Sequence, residues 1–170
     1  MTILRRRAMP ATAAHPAGRR LFIMESIPSD ADAVRASNLA YYRAFEAGDI
    51  EAMAGIWASA APISCLHPGW EPVVGREAVL SSWASIFRAT RAVIFTLRNV
   101  QLFVVGDAAW VVLIEELDVS PTDGQRMRVA MVATNYFLRE SDGWKMVHHH
   151  AGPGVPASSP ATGEVKRMLH

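Results

Sequence analysis

Residues 92–119 read AVIFTLRNVQLFVVGDAAWVVLIEELDV. Ala92 to Val105 alternates weakly between apolar and polar side chains, Gly106-Asp107 interrupts it, and Ala108 to Val119 resumes the pattern. A period of two is the signature of a strand, and two long strands joined by so short a turn must pair antiparallel. The same grammar continues downstream. Pro121-Thr122-Asp123-Gly124 predicts a turn, Gln125 to Arg139 a third long strand, Ser141-Asp142-Gly143 another turn and Trp144 to Ala151 the last strand. The second half is therefore expected to be a four-stranded antiparallel meander.

Upstream the period is 3.6. Ser29 and Asp30 suit an N-cap, and Val34, Asn38, Tyr41, Tyr42 and Phe45 recur at helical spacing, predicting a helix over about 31–47. Gly48 supplies a left-handed stop, and Asp49 can cap a second, shorter helix with Ile50, Met53, Ala54 and Trp57 on its inner side. Pro62 to Leu66 predicts a short strand feeding His67-Pro68-Gly69-Trp70-Glu71-Pro72, a loop stiffened by two prolines. Gly75 and Arg76 open a third helix, about 77–90, that buries Val79, Leu80, Trp83, Ile86 and Phe87. Three helices, one short strand among them and a meander make an α+β fold. Helices cover one face of such a sheet, and sheet curvature leaves a hollow beneath them.

Composition narrows the function. One domain accommodates 170 residues, half of them hydrophobic. No apolar run reaches the ~18 to 20 residues of a membrane span, so no membrane partner is expected. The single Cys65 excludes an intramolecular disulfide and a thiolate cluster, which makes the cytoplasm the expected compartment. Residues 1–23 hold five arginines and no acid; without them 12 Lys and Arg face 16 Asp and Glu, a net of −4. That balance argues against a nucleic-acid partner. The basic stretch lacks the apolar segment of a signal peptide and is expected to be a disordered extension, 24–152 the folded domain and 153–170 a flexible tail.

The last strand, Gly143-Trp144-Lys145-Met146-Val147-His148-His149-His150, concentrates reactive side chains. Unbroken alternation puts Trp144, Met146, His148 and His150 on one face and Lys145, Val147 and His149 on the other. The His148/His150 pair admits three roles. It can exchange protons as a neutral acid/base near physiological pH, hold a metal with a third ligand such as His67 or Glu115, or be structural. If the other face looks inward, His149 takes the role. Glu115 and Glu116 sit one on each face of an apolar strand, so one carboxylate is expected inside, to orient a histidine or act as base. Asn135 follows Val129, Met131 and Ala133 at period two and can donate to a ligand carbonyl. His67 and Trp70 are presented from the stiff loop, and Asn38 and Tyr41 from the first helix. The expected site thus comprises His148, His150 and His67 as proton-transfer groups, with Trp70, Asn135, Glu115, Asn38 and Tyr41 against the ligand and no metal. Apolar side chains on both faces of Val111 to Leu117 predict an oligomer, most simply a homodimer.

Several stretches resemble the SnoaL-like branch of the nuclear transport factor 2-like superfamily: YRAFEAGD (42–49), CLHPGW (65–70), GREAVLSSW (75–83), ATNYF (133–137) and WKMVHHH (144–150). The resemblance covers roughly residues 31–152. It implies N-terminal helices packed on a strongly curved antiparallel sheet forming a cone. It also implies an apolar or aromatic, carbonyl-bearing small molecule as ligand and, in enzymes, isomerase, dehydratase or cyclase chemistry without cofactor or metal. Non-catalytic binding or oligomerisation modules share the fold. The chain shows no counterpart of the ketosteroid isomerase Tyr and Asp pair, nor of the epoxide hydrolase Arg–Asp pair.

Overall fold

The computed structural model describes residues 28–154 other than 122 and 123. The expected 1–23 extension and nearly all of the expected tail lie outside the described residues, as does the middle of the Pro121–Gly124 turn. Helix α1 spans Asp30–Ala47: the Ser29 side chain accepts from the Asp32 amide, and Gly48, at φ 63°, closes the last turn in the left-handed region. Helix α2 spans Ile50–Ile56, its first amides donating to the Asp49 carboxylate. The guanidinium of Arg76 donates to the carbonyls of Ala54, Trp57 and Ala58 at 2.7–2.8 Å, satisfying acceptors that a helix end leaves bare. Strand β1 is Ser64–Leu66, β2 Val73–Val74, α3 Arg76–Ala89, β3 Thr90–Val105, β4 Ala108–Pro121, β5 Met127–Glu140 and β6 Gly143–Pro153.

The four long strands form the expected meander, and the sheet extends past it in the order β2-β1-β6-β5-β4-β3. β1 runs parallel to β6, pairing Ser64 with His148 and Leu66 with His150, so the sheet is mixed. β2 was not expected; two valines are too few to show a period. Among the described residues no helix is long and apolar enough to cross a membrane.

Two irregularities shape the sheet. On β3, Arg98 pairs with Ile114 and Gln101 with Val112, so Asn99 and Val100 together oppose Leu113, with Asn99 at φ 52°. On β6, Met146 pairs with Phe137 and His148 with Tyr136, leaving Val147 unpaired. Such bulges bend a strand and change which way its later side chains point. All three helices cover the face carrying Val111, Leu113, Ala133, Phe137, Met146 and Ala151, and the core forms there around Tyr41, Met53, Trp57, Val79 and Trp83.

Candidate functional site

The Val147 bulge decides which histidine faces the core. Trp144 and Met146 point inward as alternation requires, but the extra residue inverts parity, so that His149 and Ala151 follow them inside. His148 and His150 therefore share the outer face, and the expectation that they lie beside Trp144 and Met146 is corrected. The His148 ring meets Ser64 Oγ at 2.8 Å and lies 6.4 Å from the His150 ring, which is exposed. Partial burial, then the neighbouring His150, lowers the His148 pKa.

Inside, four elements bring polar groups into one chain of hydrogen bonds. Tyr42 Oη, from α1, donates to Glu115 Oε1 on β4 at 2.7 Å. Asn135 Nδ2, from β5, donates to Tyr42 Oη at 3.1 Å and to Asn38 Oδ1 at 2.8 Å. His149 Nδ1, from β6, lies 2.6 Å from Asn135 Oδ1. All five residues are buried. Glu115, Asn135 and His149 meet because they face one side of adjacent strands, with Val111 opposite Asn135 and Asn135 opposite His149. Asn38 and Tyr42 stand one helical turn apart on α1 and so address the same spot. A buried polar chain of this kind is stable only when its members satisfy one another.

A second cluster adjoins the first. His67 Nε2 contacts Ser82 Oγ at 2.8 Å, and Ser82 donates to the Val79 carbonyl at 2.7 Å. The Trp83 ring lies 4.7 Å from His67 and 6.1 Å from His149, while Tyr41 packs 5.0 Å from His149. Trp70 touches His67 at 5.0 Å and is half exposed, so it stands at the edge of the cluster. Cys65 is wholly buried beside His67.

Burial dominates the electrostatics. It raises the Glu115 pKa to about 7, against a smaller opposing effect of the Tyr42 hydroxyl. It lowers His149 to about 3, helped by the charges of His67, His148 and His150, and lowers His67 to about 4. It pushes the Cys65 thiol up to about 12, with Glu115 adding to the effect. At neutral pH both inner imidazoles are therefore neutral, and Glu115 is the inner group poised between its two states. Among the described residues no three His, Cys, Asp or Glu side chains are arranged to hold a metal ion.

Of the residues singled out from sequence, Asn38, Tyr41, Glu115, Asn135 and His67 converge on the inner face, Trp70 flanks them, and His148 and His150 do not join them. Tyr42 and Ser82 were not expected there. Tyr42 had a legible signal, the spacing of four from Asn38; Ser82 had none, since a serine on a helix is ordinarily a surface residue.

A family model described as a SnoaL-like domain matches residues 34–156. Among solved structures, a protein of Streptomyces avermitilis described as a candidate dehydratase of the nuclear transport factor 2-like family is 37% identical. It has a TM-score of 0.70 and covers 75% of this chain and 97% of its own. A candidate calcium/calmodulin-dependent protein kinase type II association domain from Thiobacillus denitrificans is 35% identical, with a TM-score of 0.59 over 71% of this chain and 94% of that one. The F-box protein SKIP8 of Arabidopsis thaliana is 30% identical over 102 residues, 60% of this chain and 41% of that relative, so the chain spans less than half of its length.

Proposed function

Because the chain belongs to the SnoaL-like domain family, with a nuclear transport factor 2-like fold, we propose that its inner face is a cone that binds a small apolar or aromatic molecule and moves a proton on it without a cofactor. The observation that carries this reading is Glu115, a carboxyl group buried among apolar side chains, held by the Tyr42 hydroxyl and poised near pH 7. A general acid/base works best when its pKa lies near the working pH. As carboxylate, Glu115 takes a proton from the carbon next to a ligand carbonyl, and the Tyr42 hydrogen bond steadies the charge until that proton goes. As acid, it returns the proton to another carbon, an isomerisation, or to a departing hydroxyl, a dehydration.

Proton transfer thus passes from the histidines to Glu115. His149, held neutral by burial, is too weak a base for this step and positions the ligand instead, with Tyr41, while Asn135 and Asn38 hold His149 and Tyr42 in place. His67 and Trp70 flank the ligand. A cytoplasmic setting suits the buried Cys65 thiol. The test is exchange of deuterium from solvent into the α-carbon of a panel of aromatic ketones and hydroxyketones, followed by NMR. Wild type is expected to exchange with a midpoint near pH 7 and Glu115→Gln to fall at least 100-fold, by the usual size of general acid/base effects. Undiminished exchange by the variant would remove Glu115 from this role.

The outer face favours a second property, self-association. Phe103 and Trp110 stack at 5.2 Å, and Trp110 and Tyr136 at 6.3 Å, in a row that continues to His148. Ile94, Val112 and Val132 stand exposed on the same side. An apolar sheet face of this extent is what a homodimer covers.

A further inference from the structure

The hydrogen-bond partners of Asn135 fix which nitrogen of His149 carries the proton. Asn135 Nδ2 spends both hydrogens, on Asn38 Oδ1 and Tyr42 Oη. Its Oδ1 can only accept, so His149 donates from Nδ1. A neutral imidazole has one N–H, and His149 Nε2 is therefore a bare lone pair with no partner among the described residues. At His67 both nitrogens have a neighbour. The Ser82 hydroxyl gives its hydrogen to the Val79 carbonyl, so its oxygen accepts from His67 Nε2–H, and Nδ1 faces Cys65 Sγ at 3.8 Å. Trp83 packs against both imidazoles, and its indole N–H is buried without a hydrogen-bond partner.

This end of the inner face thus offers one free acceptor, His149 Nε2, and one free donor, the Trp83 indole N–H, and a buried group left unpaired costs stability or affinity. A carbonyl would satisfy the indole and leave the His149 lone pair bare. A carboxylate would face that lone pair with its own. A hydroxyl both donates and accepts. Resting on the reading of the inner face as the ligand site, we propose that its histidine end recognises a hydroxyl group, which donates to His149 Nε2 and accepts from Trp83 Nε1–H. The substrate class is then a hydroxylated apolar carbonyl compound, such as a hydroxyketone, whose acidic C–H lies toward Glu115.

The experiment uses the full chain with 15N-labelled histidine, titrated with phenol, anisole, cyclohexanol and cyclohexanone. The free protein is expected to show His149 as the Nδ1–H tautomer. Phenol and cyclohexanol are expected to bind about tenfold more tightly than anisole and cyclohexanone, the worth of one hydrogen bond, and to shift the His149 Nε2 resonance. A proton found on Nε2, or binding with no preference for the hydroxyl compounds, overturns the inference and leaves the cone reading standing. If none of the four binds the folded protein at millimolar concentration, the cone reading falls and takes the inference with it.

Discussion

Asn135 accepts the Nδ1–H of His149 at 2.6 Å and so fixes which nitrogen of a buried imidazole is bare. The same amide donates to Asn38 and Tyr42, so one side chain ties α1, β5 and β6 together. Replacing it with Leu keeps the volume roughly constant and strands a donor on His149 and an acceptor on Asn38. Asn135→Leu is expected to cost about 2–4 kcal/mol, the sum of two or so buried unpaired groups, seen as a lower denaturant midpoint with an unchanged slope. A loss under about 0.5 kcal/mol would show that the chain contributes little to the fold.

The buried titrating groups pull stability in opposite directions with pH. His149 and His67, at about 3 and about 4 in the fold against 6.5 free, refuse protons that the unfolded chain accepts, so stability falls as pH drops below 6.5. Glu115, at about 7 in the fold against 4.5 free, holds a proton that the unfolded chain releases, so its contribution is lost as pH rises from 4.5 through 7. Glu115→Gln keeps an acceptor for Tyr42 and removes only the second effect. Relative to wild type the variant is expected to gain up to roughly 3 kcal/mol between pH 4 and pH 8, at 1.36 kcal/mol per pKa unit. Parallel stability curves in urea at the two pH values would contradict a buried, titrating Glu115.

The meander and the helices were legible because their periods are long and their turns carry Gly, Asp and Pro at diagnostic places. Glu115 and Asn135 were legible as polar interruptions on apolar strand faces. The inward histidine was not, because one unpaired residue, Val147, reverses a two-residue period, and nothing in Trp144-Lys145-Met146-Val147-His148 marks where the ladder slips. The pairing of β1 beside β6 was equally hidden: a three-residue strand has no pattern that names its neighbour. Tyr42 belongs to both the core stripe and the polar chain, and in the sequence only its spacing of four from Asn38 points to the second role.

Asn99 tests the bulge that bends β3. Its φ of 52° lies in the left-handed region, where Asn is tolerated and a β-branched residue is not. Asn99→Gly is expected to be neutral within about 0.5 kcal/mol, whereas Asn99→Val should cost about 1–3 kcal/mol, the usual range for enforced backbone strain. Thermal unfolding of the pair separates backbone from side-chain effects. Equal losses for Gly and Val would assign the importance of Asn99 to its amide.

Val132 separates assembly from folding. It lies in the centre of β5 on the outer face, opposite Ile114 and Gly152, and is 51% exposed. Exchanging a half-exposed side chain for a charged one changes monomer stability by little, about 0.5 kcal/mol. The same charge buried at a dimer interface without a partner is costly. Val132→Glu is therefore expected to weaken self-association by at least tenfold in sedimentation equilibrium, while its far-ultraviolet circular dichroism and unfolding midpoint as a monomer stay those of the parent. Glu115 faces the other side of the sheet, so deuterium exchange by the monomeric variant reports whether proton transfer needs the dimer. Exchange kept in the monomer makes the outer face an assembly surface alone, and exchange lost with dissociation makes the inner site depend on it.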